Sequence, residues 1–229
     1  MTARDTHRIF RILAVAATLA LAGPAPAAGP AIDAVVKDDK GKPVEDAVVY
    51  LVAAPGATPA AARASGRAVM DQWKQEFIPY VLPIEAAMSV NFPNRDNIKH
   101  HVYSFSSPKK FELPLYTGSP AAPVVFDTPG VVVLGCNIHD WMVGYIYVLP
   151  TPHFAKTGAD GRARLENVPA GAQEVRVWHP RLRDATEKTG QAVTPGAGGA
   201  GEVAFAVVLK REWRVQRPAG SRYDPNQQN

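Results

Sequence analysis

The stretch Gly135-Cys136-Asn137-Ile138-His139-Asp140-Trp141-Met142 decides how the rest of the chain is read. It holds the only cysteine of the protein and adds an imidazole and a thioether within the next six positions. All three are soft or borderline ligands for a metal ion. Apolar runs flank it, Val131-Val132-Val133-Leu134 before and Val143-Gly144-Tyr145-Ile146-Tyr147-Val148 after, and this composition predicts a loop between two strands. Such a loop can aim Cys136, His139 and Met142 at one point, which a straight strand or helix at this spacing cannot. It lacks a second imidazole, which must come from elsewhere in the chain.

Upstream, Asn94-Arg95-Asp96-Asn97-Ile98-Lys99-His100-His101-Val102-Tyr103-Ser104-Phe105 reads as a polar turn running into a strand that starts at two adjacent histidines. Alternation places His100 and Val102 on one face and His101, Tyr103 and Phe105 on the other. A one-residue slip exchanges the faces, so either histidine is a candidate ligand. Met88, Val90 and Phe92 alternate toward a core, and Met70 to Ile84, punctuated by Pro79 and Pro83, reads as broken edge strands. Ser106 to Pro123 reads as loop. Val124-Val125-Phe126 and the turn Asp127-Thr128-Pro129-Gly130 lead back to the cysteine.

The 18 glycines and 21 prolines, set among short apolar runs without helical period, predict an all-β protein. The first residues stand apart. Arg4, His7, Arg8 and Arg11 precede an apolar run from Ile12 to Leu21 and the small-residue site Ala25-Pro26-Ala27-Ala28. Residues 1–28 therefore read as a signal peptide directing the protein to the periplasm. The run is too short for a membrane span, and no later stretch of the mature chain offers one. The formal net charge of +4 owes three arginines against one aspartate to this leader, so the mature chain is close to neutral. That charge, and export, argue against nucleic-acid binding. A single cysteine in an exported protein forms no internal disulfide and is buried and inert, reactive, or held by a metal.

Two family resemblances organise the chain. Val36-x-Asp38-x-x-Gly41-x-Pro43-Val44-x-x-Ala47-x-Val49 resembles the opening of carboxypeptidase-regulatory-like (transthyretin-like) β-sandwich modules. Thr157-x-x-Asp160-Gly161-x-x-x-Leu165-x-x-Val168-Pro169-x-Gly171 resembles the later signature of the same modules. The resemblance implies a small sandwich made of 31–55 plus 154–212. Gly56 to Ala68 reads as a linker, Gly190 to Gly201 as a flexible loop, Glu202 to Leu209 as a last strand and 213–229 as a disordered tail. Residues 69–150 lie between the two halves and resemble a second family, the cupredoxins. The tight Cys136-x2-His139-x2-Met142 loop is similar to the amicyanin type, with plastocyanin-type proteins having a longer His-to-Met spacing. Asn94-Arg95-Asp96-x-x-x-His100-x-Val102 and Phe126-x3-Gly130-x5-Cys136 also match.

This second resemblance implies a Greek-key sandwich, inserted into or packed beside the transthyretin-like one. It further implies a mononuclear type 1 copper held by His100, Cys136, His139 and Met142, with His101 as alternate ligand or supporting residue. The implied activity is one-electron transfer between redox proteins, without enzymatic turnover. Lys99, His101, Ile138 and Asp140 depart from the residues usual around such ligands. The rival expectations are copper storage with the same ligands, and a cell-envelope binding module in which Cys136 is structural. A Cys136–His139 hydrolase is disfavoured, because two residues on one tight loop lack an orienting third group. Trp141 is expected at the rim of the site, Asp140 and Lys99 beside it, and His153 and His179 outside it.

Overall fold

The computed structural model describes residues 30–53, 66–120, 122–195 and 200–211. The leader, the 56–65 part of the linker and the 213–229 tail lie outside the described residues. The chain is all-β. It begins with β1 (Ala31–Asp38) and β2 (Val48–Leu51), followed by the short strands β3 (Arg67–Val69), β4 (Asp71–Trp73) and β5 (Glu76–Ile78). Next come β6 (Val81–Glu85), β7 (Met88–Asn91), β8 (His100–Ser104), β9 (Phe111–Tyr116), β10 (Val124–Phe126), β11 (Gly130–Leu134) and β12 (Gly144–Leu149). The last part holds β13 (Phe154–Lys156), β14 (Arg162–Leu165), β15 (Gln173–Trp178), β16 (Gln191–Val193) and β17 (Ala200–Val207), with one 3-10 turn at Thr186–Thr189. Among the described residues no helix is long and apolar enough to cross a membrane.

Strands from the two ends of the chain share one core. The sheets run β14-β1-β17 and β13-β2-β15-β16. Alternation decides which side chains they bury: Ile32, Ala34 and Val36 of β1 and Val203, Phe205 and Val207 of β17 point inward, joined by Val49, Leu51, Leu165, Val175 and Val177. The two transthyretin-like stretches meet here. The Thr157 hydroxyl donates to the Val44 carbonyl (2.7 Å) and accepts the Ala47 N–H (2.9 Å). Gly161, at φ +72°, lies so close to Val36 that a Cβ there would sit 2.5 Å from its carbonyl oxygen.

Residues 67–149 build a second core from sheets β10-β7-β3 and β11-β12-β6 and the pairs β4-β5 and β8-β9. Phe77, Ile84, Val90, Phe92, Val102, Phe126, Val132, Leu134, Ile146 and Val148 fill it, together with Cys136 and Met142. Strand β12 is packed on both faces, fully buried on one and half-buried on the other. Gly144, Ile146 and Val148 face this core, while Tyr145 and Tyr147 pack against Trp178 (ring centroids 6.2 and 4.7 Å) and Tyr147 meets Tyr50 edge-on (5.7 Å). An aromatic layer thus joins the two cores.

Two loop expectations are corrected. Ser106 to Pro123 contains β9, which pairs with β8 alone; Pro114 and Leu115 stand opposite His101 in a bulge of the register. A proline without an N–H is tolerated at such an edge, which is why its presence hid the strand. Gly190 to Gly201 contains β16, paired with β15 through Gln173↔Val193 to Val175↔Gln191, and the first residues of β17.

Candidate metal centre

Cys136 follows β11 at the point where the chain leaves its ladder with β12. Gly135 instead exchanges backbone hydrogen bonds with Tyr103 of β8 (3.0 and 3.1 Å). The Tyr103 ring lies over Gly135 so tightly that a Cβ there would fall 2.7 Å from Tyr103 Cζ. This contact fastens the cysteine to the strand that carries the histidines, and leaves Cys136 3% exposed. The loop then turns through a Met142 N–H to His139 carbonyl bond (2.9 Å) and delivers Met142, 1% exposed, into the core that also holds Cys136.

His100 opens β8 opposite Tyr116 and is completely buried. Its Nε2 lies 2.8 Å from Asp96 Oδ2, itself buried, and its Nδ1 is directed at the cysteine, 4.0 Å from Sγ. Burial pulls the His100 pKa below its ordinary value, an effect that the Asp96 hydrogen bond and charge oppose. With Nε2–H donated to a carboxylate, Nδ1 keeps its lone pair for another partner. His139 Nδ1 lies 3.9 Å from the same sulfur, and the two imidazole rings stand 4.9 Å apart. His139 is half-buried, with the Trp141 ring 5.1 Å away; Ile138, Asp140 and Lys99 are exposed.

Three donor atoms, on His100, Cys136 and His139, lie within 4.8 Å of one another. Spacings near 4 Å are long for hydrogen bonds to sulfur and suit a shared ion. Metal–sulfur and metal–nitrogen bonds of about 2.3 and 2.05 Å, opened to a trigonal angle, place sulfur and nitrogen roughly 3.8 Å apart. A thiolate with two neutral imidazoles is also a donor set that copper favours. The residues present fit the ion.

His101 is directed elsewhere. Its Nε2 lies 2.8 Å from Glu112 Oε1 on β9, its ring packs 5.5 Å from that of Tyr103, and its buried Nδ1 has no hydrogen-bond partner. His179 is buried at the end of β15, where its Nδ1 accepts the Arg181 N–H (3.1 Å); burial first, then the Arg181 charge, push its pKa down to about 4. The residue that sequence reasoning passed over is Asp96. It stood in the Asn94-Arg95-Asp96 motif, four positions before His100, and the surrounding polar turn disguised it as a solvated carboxylate.

No family model and no curated protein matches the sequence. Solved structures do. A purple cupredoxin from Nitrosopumilus maritimus is similar at 22% identity over 37% of this chain and all of that chain, with a TM-score of 0.32. An oxidised amicyanin mutant is similar at 22% identity over 47% of this chain and 95% of its own (TM-score 0.34). The copper-containing nitrite reductase of Thermus scotoductus is similar at 24% identity over 41% of this chain and 27% of its own (TM-score 0.35).

Proposed function

We propose that this chain is an exported, periplasmic type 1 copper protein that carries single electrons between redox proteins. The observation that carries the reading is the His100–Cys136–His139 donor set, buried except at one imidazole and spaced for coordination rather than hydrogen bonding. A bound copper ion supplies a one-electron couple. The protein's own residues supply the rest. Cys136 would hold the ion as a thiolate, its proton released to solvent on binding. Asp96 holds the His100 proton on Nε2, away from the ion. Met142, buried in the same core as the cysteine, would add a weak thioether donor. The Gly135–Tyr103 pairing keeps the sulfur in place, so the donors need not move when the charge of the ion changes.

The half-exposed His139 edge is where a redox partner would approach, and the Trp141 ring packed beside it would limit water there. The sandwich of 69–150 is read as a cupredoxin domain held between the halves of a carboxypeptidase-regulatory-like module, 31–55 and 154–212. The leader 1–28 supports the periplasmic assignment. Loading the purified protein with copper tests the reading: one ion per chain, an intense visible thiolate-to-copper band and a reversible one-electron wave are expected. A colourless copper-loaded protein overturns it, and copper bound without a reversible wave points to storage.

A further inference from the structure

The hairpin that joins β4 to β5 supplies none of the three donors. Lys74 and Gln75 form its turn between the paired Trp73 and Glu76, and both sit in the left-handed region, at φ +56° and +59°. Neither residue suits that conformation, which two-residue hairpins normally fill with asparagine or glycine. A local outlier of this kind asks what the turn accomplishes.

Its two amide N–H groups are aimed at one carboxylate. Lys74 N–H donates to Asp96 Oδ1 (2.7 Å) and Gln75 N–H to Asp96 Oδ2 (2.8 Å), while Oδ2 also meets His100 Nε2 (2.8 Å). The Asp96 side chain is completely buried, so its orientation is set by these partners and not by water. The 93–96 loop is fastened to the hairpin independently: Gln72 N–H donates to the Pro93 carbonyl and Arg95 N–H to the Gln72 carbonyl (both 2.9 Å), and Arg95 pairs with Asp71 and lies over the Trp73 ring. The Asn94 side chain accepts the Asp96 N–H (3.0 Å) and donates to the carbonyls of Ile98 and Tyr116 (2.9 and 2.8 Å), which brace the approach to His100.

We propose that the Trp73–Glu76 hairpin is a positioning element of the metal centre, whose turn amides orient Asp96 and through it fix both the tautomer and the aim of His100. The proposal rests on the copper reading only for its affinity readout. A carboxylate shared by two amides and an imidazole cannot rotate away from any one of them without leaving another buried donor unpaired. Removing a residue that orients a metal-bound histidine typically lowers metal affinity 10- to 100-fold.

The test begins with the metal-free protein. Nitrogen-15 NMR is expected to find His100 protonated on Nε2 alone, with that proton and the Lys74 and Gln75 amide protons slow to exchange. Lys74→Pro removes one amide and forbids the left-handed turn while leaving Asp96 and every donor in place. It should speed exchange at His100 Nε2 and weaken copper binding by about 10-fold in chelator competition. Inserting two glycines between Lys74 and Gln75 should do the same in a protein that keeps its far-ultraviolet spectrum, covering the case in which Lys74→Pro fails to fold. Replacing Lys74 by Asn and Gln75 by Gly keeps both amides and relieves the turn, and should leave His100 exchange unchanged. The proposal is overturned if the insertion leaves His100 exchange and copper affinity as in the wild type, or if His100 carries its proton on Nδ1. Should no variant bind copper while the insertion still frees the His100 proton, the hairpin's role stands and the copper reading fails.

Discussion

Beside its aliphatic side chains and Phe205, the part built from the two ends of the chain buries Thr157 and His179, whereas the part spanning 70–148 buries a larger polar set that includes Gln72, Asn94, Asp96, His100, His101, Ser104 and Cys136. Both are layered sheets with inward alternation. In the first, polar groups mostly stay outside, as Asp33 does when it pairs with Arg164 at the surface (2.7 Å). In the second, Asn94, Asp96 and His100 are linked by hydrogen bonds that offset the cost of burying them, while the buried Gln72 Oε1 has no hydrogen-bond partner among the described residues. The contrast separates a scaffold from a site: one core is filled for stability, the other also to hold His100 and Cys136 in place.

The largest effect that breaks this contrast is at the sulfur. If the chain is the copper protein proposed, Cys136→Ala should abolish its visible band and stoichiometric copper binding outright while the far-ultraviolet β signature persists; metal analysis with an absorption spectrum reads both. Next comes the layer between the cores. Trp178→Ala empties space under Tyr145 and Tyr147 and should cost about 3–5 kcal/mol in denaturant unfolding, since truncating a buried tryptophan costs that much. If the cores unfold together in the wild type, this variant is the one expected to separate their transitions.

A slightly smaller effect sharpens the contrast by pH. His179 stays neutral in the fold until about pH 4, whereas in the unfolded chain it takes up a proton near 6.5. The unfolded state therefore binds more protons between those values, so the stabilisation is complete above pH 6.5 and is lost as pH falls toward 4. The loss amounts to about 3 kcal/mol at 1.36 kcal/mol per unit. His179→Gln should flatten that slope in urea titrations between pH 4 and 7 without moving the copper spectrum. The smallest change is at the surface. Arg164→Ala removes an exposed pair and should cost under about 1 kcal/mol, less still at high salt, by thermal unfolding.

How much of this was legible in the sequence depended on whether the signal was local. Cys136, His139 and Met142 lie on one loop, and their chemistry needs no partner to be noticed. His100 and His101 required the strand's register, which the residues alone left open; the geometry directs His100 Nδ1 to the sulfur and His101 to Glu112. Asp96 was hidden because a carboxylate in a polar turn looks solvated until two distant amides are seen to enclose it. The β9 strand was hidden by Pro114, and the aromatic layer by the alternation of β12, since Tyr145 and Tyr147 read equally well as residues facing water.

The Gly135–Tyr103 pairing has a practical corollary. With the ladder fastened there and resumed at Leu134↔Gly144, residues 136–143 form a span whose two ends are held at a set separation by the sheets beneath. Its middle, residues 137–141, can be exchanged for a segment of different length without asking the strands to move, provided Cys136 and Met142 keep their places in the core. The segment between Cys136 and Met142 is therefore a natural cassette for grafting, in which the spacing of donors becomes an adjustable variable on an unchanged chassis.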